Sequence, residues 1–179
     1  LFNSGLKETT EYEELKKAMS ETRNKLAPAH VDQVLKSLTE LIEFIDGSGI
    51  QVGLENRFHI FDIPFIDEMQ QMIDLCDKEW YGFQYDVGHA QVLGQLGFLA
   101  HEDWLKRFGH RIIGVHLQDV KGVVDHQIPG SGDVDYQMVK KYIPDHANLT
   151  LEVNPALTVE ELTRGLEHLA KFDIITPLN

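Results

Sequence analysis

Four short apolar segments each run directly into a residue able to hold a metal ion, and this pattern constrains the fold more than any other feature. Ile50 to Leu54 leads to Glu55, Gly82 to Tyr85 to Asp86, Ile112 to Val115 to His116, and Leu149 to Leu151 to Glu152. The intervals from Glu55 to Asp86 to His116 to Glu152 are 31, 30 and 36 residues, each about the length of one strand, loop and helix. Short apolar strands alternating with amphipathic helices indicate an α/β fold with a parallel sheet built from βαβ units. In such a sheet the carboxyl ends of the strands share one face, so four residues far apart in sequence converge.

The helical periodicity fills the gaps. Thr10 and Glu13 have capping-box spacing, and Tyr12, Leu15, Ala18 and Met19 share a face. Pro28 is expected to interrupt before a second helix with Val31, Val34, Leu35, Leu38, Leu41, Ile42 and Ile45 inward, closed by Gly47-Ser48-Gly49. Ile66, Met69, Met72, Ile73 and Cys76 mark the inner side of a helix from about Phe65. Ala90 to Ala100 reads as helical, and His101 to Phe108 as a helix with Trp104, Leu105 and Phe108 inward. After His116 comes a long polar loop with Asp119, Lys121, Asp125 and His126, ending in Pro129-Gly130-Ser131-Gly132-Asp133. A short helix from Tyr136, the strand into Glu152 and a helix capped by Thr158 and Glu161 complete the order.

With 179 residues, 42% of them hydrophobic, the chain suits one domain, 1–179, with a sizeable core. A formal charge of −13 repels phosphate backbones and argues against nucleic-acid partners. Cys76 is the only cysteine, so neither an internal disulfide nor a CxxC metal site exists; it is expected to pack as a small hydrophobe. The sequon Asn148-Leu149-Thr150 falls on an expected buried strand and carries no weight. No apolar run is long enough for a bilayer span, no signal peptide is evident, and a cytoplasmic setting is expected. No GxGxxG follows a strand and there is no serine nucleophile elbow. Leu1 stands where an initiator Met would, and Leu1 to Gly5 reads as a strand tail, so the expectation is the later part of a longer polypeptide.

Three carboxylates facing one another without a counter-charge repel strongly, and a divalent cation resolves that repulsion. Glu55, Asp86, Glu152 and the imidazole of His116 suit Mn2+ or Mg2+ first, with Co2+, Fe2+ or Zn2+ as alternatives. The opposing interpretation, four polar strand ends meeting solvent, accounts for any one of them but poorly for four in phase.

The segments LEN at Glu55, DVGH at Asp86 to His89, HLQD at His116 to Asp119, HQIPGSGDVDY from His126 and LEV at Glu152 resemble the xylose isomerase-like superfamily of TIM barrels. That group includes sugar-phosphate isomerases and epimerases, ketose 3-epimerases, inosose dehydratases and endonuclease IV. The resemblance implies a (β/α)8 barrel, of which this chain supplies the C-terminal four to five βα units. It further implies one metal on Glu55, Asp86, His116 and Glu152, proton transfer by Glu55 and Glu152, and substrate contact by His89. The implied reaction is proton abstraction beside a carbonyl of a sugar, sugar phosphate, polyol or keto-acid, through an enediolate.

Other residues are more open. In the multi-zinc endonucleases an Asp-x-His in this loop binds a further metal, but Val124 stands two before His126. His126 is therefore expected to touch substrate or support the site, with a surface role as the alternative. Arg57 and Lys121 are candidates for substrate oxygens or phosphate, or else solvated loop charges. The Gly130-Ser131-Gly132 turn could offer N–H groups to an anion, although a plain tight turn fits better. His59, His101, His110, His146 and His168 are assigned to surface or helix positions. Competing functions are an endonuclease IV-like zinc phosphodiesterase and a non-catalytic carbohydrate-binding barrel. A full barrel takes about 250 residues, so further strands upstream or a second copy of the chain are expected to complete it.

Overall fold

The computed structural model describes residue 5 and residues 7–176, so the strand tail expected at Leu1 to Gly5 falls, apart from Gly5, outside the described residues. A 36-residue helix, α1 (Thr10–Ile45), comes first. Its N-cap is Thr9 rather than Thr10: the Thr9 hydroxyl accepts from the Tyr12 N–H, and the Thr9 carbonyl takes the Glu13 N–H. Pro28 does not divide the helix. Its ring is exposed, while Ala27 and Val31 beside it on the helix surface are buried against Met72. A proline ring crowds the carbonyl four residues back; here that carbonyl belongs to exposed Asn24 and can tilt toward water, so the helix continues through Pro28. The expected inward face is only partly so: Leu15 is half exposed, whereas Tyr12 and Ile45 are buried.

Four strands follow in parallel, β1 (Val52–Glu55), β2 (Tyr81–Asp86), β3 (Ile112–Leu117) and β6 (Asn148–Leu151), ordered β1-β2-β3-β6. Helices α2 (Ile66–Ile73), α3 (Val87–Gln95), α4 (His101–Phe108), α5 (Tyr136–Lys140) and α6 (Val159–Ala170) connect or follow them. The core lies between the convex face of the sheet and these helices, where Phe83, Tyr85, Val115 and Leu117 meet Met69, Ile73, Trp104, Leu105, Phe108, Val139 and Leu169. Cys76 is buried as expected. No helix among the described residues is long and apolar enough to cross a membrane.

The sheet is an open trough; among the described residues no pairing joins β6 to β1. It curls enough for Asn148 at the start of β6 to reach Gln51 just before β1, Nδ2 to Oε1 at 3.4 Å. The curvature needs small residues inside. A Cβ at Gly53 would come within 2.8 Å of the Gln84 Cβ, and one at Gly114 within 2.1 Å of the Gln84 Oε1. β6 is an edge strand, and Asn148, Leu149 and Thr150 are exposed, not buried as expected.

The region expected as a loop after His116 contains an antiparallel hairpin, β4 (Asp119–Lys121) and β5 (Val124–Gln127). Gly122 makes its turn, with φ of 64°, a conformation that favours glycine.

Candidate metal centre

Strand parity and register bring the four candidates together. Asp86 pairs with His116, Glu55 with Gln84, and His116 with Thr150. Side chains alternate across a strand, so Glu55, Asp86, His116 and, two beyond Thr150, Glu152 project from the concave side near its carboxyl end. One ligand atom from each lies within 4.8 Å of every other.

At the centre is a single nitrogen. His116 Nδ1 is 2.7 Å from Glu152 Oε2, 3.1 Å from Glu55 Oε1 and 3.4 Å from Asp86 Oδ2. One N–H can be directed at only one of three oxygens. Glu55 accepts it, and Glu152 Oε2, although close, is buried with no hydrogen bond. An unsatisfied buried carboxylate oxygen beside two other carboxylates is costly, so the donor set fits a divalent cation better than it fits a proton.

The electrostatics agree. The carboxylates of Asp86, Glu55 and Glu152 crowded around it push the His116 imidazole up to about 10 against the cost of burial. Burial raises Asp86, but His116, His89 and Gln118 outweigh it and leave the carboxyl below its ordinary value. Burial likewise raises Glu55, and the His116 hydrogen bond with the charges of His89 and Arg57 brings it down overall.

The surrounding candidates differ in what they touch. His89 is buried at the start of α3; its N–H donates to Asp86 Oδ1 at 2.7 Å, so Asp86 caps the helix it precedes. The His89 ring places Nδ1 2.8 Å from the Asn56 carbonyl. A carbonyl only accepts, so Nδ1 carries the proton. Arg57 pairs with Glu55 Oε2, leaving Oε1 for His116. His126, in the left-handed region at φ 55°, has Nδ1 3.1 Å from Asp125 Oδ1 and Nε2 3.4 Å from Glu152 Oε1. Burial lowers the His126 imidazole, but Asp125 and Glu152 raise it overall. Lys121 is exposed at the end of β4, and its charge helps to lower Asp133.

Three side chains gain roles that sequence reasoning did not give them. Asn56 is fully buried and clamps β1 to β2, donating to the Asp86 carbonyl and accepting the Asp86 N–H, both at 2.8 Å. The Asp119 carboxylate accepts from the N–H groups of Val120, Gly130 and Val134 at 2.8, 2.8 and 3.0 Å. The Gly130 N–H is thus engaged, and the anion-cradle alternative for this turn gives way to the tight turn. Gln118, buried above Asp86, is the third. Its position two residues after His116 was the available signal. His101 is not an ordinary helix residue either: it bonds the buried Tyr85 hydroxyl and, at 2.7 Å, Gln91 Oε1.

Comparison with known proteins gives a consistent result. A family model described as xylose isomerase-like TIM barrel matches residues 10–172. An uncharacterised protein of Methanocaldococcus jannaschii is 27% identical over 109 residues, 59% of this chain and 36% of that protein. Among solved structures, a D-tagatose 3-epimerase-like protein superimposes with a TM-score of 0.60 at 23% identity, covering 79% of this chain and 54% of its own. An IolI protein with a bound zinc atom gives 0.57 at 16% identity, covering 80% and 55%. The chain therefore spans about a third of the curated relative and about half of each solved chain.

Proposed function

Starting from the chain's membership of the xylose isomerase-like TIM barrel family, we propose that it works as a divalent-metal-dependent isomerase or epimerase of a sugar, sugar phosphate or related polyol or keto-acid. The carrying observation is the single His116 nitrogen among three carboxylates, one with a buried oxygen lacking a hydrogen bond. Similarity to an epimerase-like protein and to a zinc-containing IolI protein supports this reading. Mn2+ or Mg2+ suits the oxygen-rich set best, with Co2+, Fe2+ or Zn2+ as alternatives. We further assign a small sugar-like substrate and a cytoplasmic setting without nucleic-acid partners, the last supported by the charge of −13.

Glu55, Asp86, His116 and Glu152 would hold the ion, which when bound supplies electrostatic stabilisation of negative charge developing on substrate oxygens. Glu55, kept ionised by His116 and Arg57, takes a proton from the carbon beside the carbonyl and leaves an enediolate. Glu152 delivers a proton taken up from solvent to the opposite face or the neighbouring carbon, and Glu55 gives up its own proton to solvent to reset the site. His89, its Nδ1 proton donated to the Asn56 carbonyl, offers its other ring nitrogen, Nε2, to a substrate hydroxyl. His126 spans Asp125 and Glu152 and holds the second carboxylate. Arg57 and Lys121 are assigned to substrate oxygens.

The test is solvent exchange. Ketoses and ketose phosphates incubated in D2O with Mn2+ should take up deuterium beside the carbonyl with wild-type protein, and at least about 100-fold more slowly with Glu152→Gln. No exchange in the wild type with any divalent ion would overturn the proposal.

A further inference from the structure

The metal centre and the β4–β5 hairpin are joined by one neutral side chain. Gln118 Nε2 lies 3.0 and 2.9 Å from the two Asp86 carboxylate oxygens. Its Oε1 accepts the His126 N–H at 2.6 Å. The amide orientation is fixed by its partners, because a carboxylate only accepts and a backbone N–H only donates. Gln118 is fully buried, and its own carbonyl takes the Tyr136 hydroxyl at 2.8 Å. Space for the amide comes from one missing methyl group: a Cβ on Gly88 would fall 2.4 Å from Gln118 Cδ and 2.5 Å from Oε1. Gly88 lies within α3 without a positive φ, so the helix itself does not require glycine there.

We propose that Gln118 is a positioning residue that couples metal binding at Asp86 to the order of the β4–β5 hairpin, and that Gly88 is glycine to admit it. This rests on the metal-dependent reading above. Gln118 holds both Asp86 carboxylate oxygens in place without adding a positive charge that would compete with the ion. Through Oε1 it holds the His126 backbone in its left-handed conformation, which directs that imidazole at Glu152. Linkage is reciprocal: whatever orders Asp86 also orders the hairpin, and an ion on Asp86 stiffens the strand that carries Asp125 and His126.

The prediction is tested with Mn2+ and Zn2+ alone, by calorimetric titration and by hydrogen exchange of the 119–127 amides. In wild type the ion should bind and should slow exchange at His126. Gln118→Ala should weaken binding by about 10- to 100-fold, the range for groups that orient metal ligands, and should abolish the metal-induced protection of the hairpin. Gly88→Ala, which displaces the amide without removing it, should reproduce both losses and should add nothing in a Gln118→Ala background. It also carries the test if Gln118→Ala does not fold. Wild-type affinity with retained hairpin protection in either folded variant would overturn the inference. Failure of the wild type to bind either ion would instead overturn the metal-dependent reading on which it stands.

Discussion

His116 Nδ1 lies 2.7 Å from Glu152 Oε2, and that oxygen nonetheless remains buried without a hydrogen bond. The nitrogen already has Glu55 as acceptor and Asp86 nearby. A proton satisfies one of these oxygens at a time; a divalent ion serves all three.

Metal binding should compete with protonation of His116. The imidazole is pushed up to about 10 by its carboxylate neighbours, so at pH 7 it holds a proton that coordination must displace. Titration calorimetry in buffers of different ionisation enthalpy should show about one proton released per ion. Affinity should rise about tenfold per pH unit as pH increases toward 10. Heats that do not change with buffer would contradict this.

The bound ion should also stabilise the fold. At a concentration near 100 times its Kd it contributes about 2.7 kcal/mol, or roughly 5–10 °C of melting temperature for a chain of this size. Differential scanning calorimetry should show the rise, its reversal by chelator and its loss in His116→Ala.

Arg23 should matter to stability far more than a surface arginine. It is buried, donates to Glu68 at 2.7 and 2.5 Å, and also binds the carbonyls of Ile60 and Asp62 at 2.6 and 3.1 Å. It thus ties α1 to α2 and to the segment following Arg57. Arg23→Met strands a buried carboxylate and should cost about 3–5 kcal/mol in urea unfolding. Arg23→Met with Glu68→Met should recover much of that loss, because no charge is left unpaired.

His101 should make the protein acid-sensitive. Burial depresses its imidazole from 6.5 to about 4, despite the opposing charges of Asp135, Asp86 and Glu102. The unfolded chain therefore binds this proton more readily than the native one. Its contribution is fully retained above about pH 6.5 and is lost as pH falls through about 4, up to about 3 kcal/mol. Urea midpoints measured from pH 7 to 4 should fall less steeply in His101→Asn than in wild type.

The four converging residues were legible because strand-end spacing is a one-dimensional signal that topology turns directly into proximity. The helix faces around Met69 and Trp104 were legible for the same reason: periodicity reports burial on the core side. Pro28 misled because its effect depends on which side of α1 it occupies, and tertiary packing decides that. The hairpin was hidden because its strands are short and polar, held by the turn at Gly122 and by Asp119 as much as by apolar alternation. Gln118 and Asn56 were harder to assign, because an amide shows its importance only through its partners. Both here belong to Asp86, 32 and 30 residues away in sequence.

One divalent ion held among these four side chains would be seen by anomalous diffraction from a crystal grown with Mn2+. A single strong peak is expected, about 2.0–2.5 Å from a carboxylate oxygen of each of Glu55, Asp86 and Glu152 and from Nδ1 of His116. A peak held instead by Asp125 and His126, or no peak at saturating Mn2+, would contradict it.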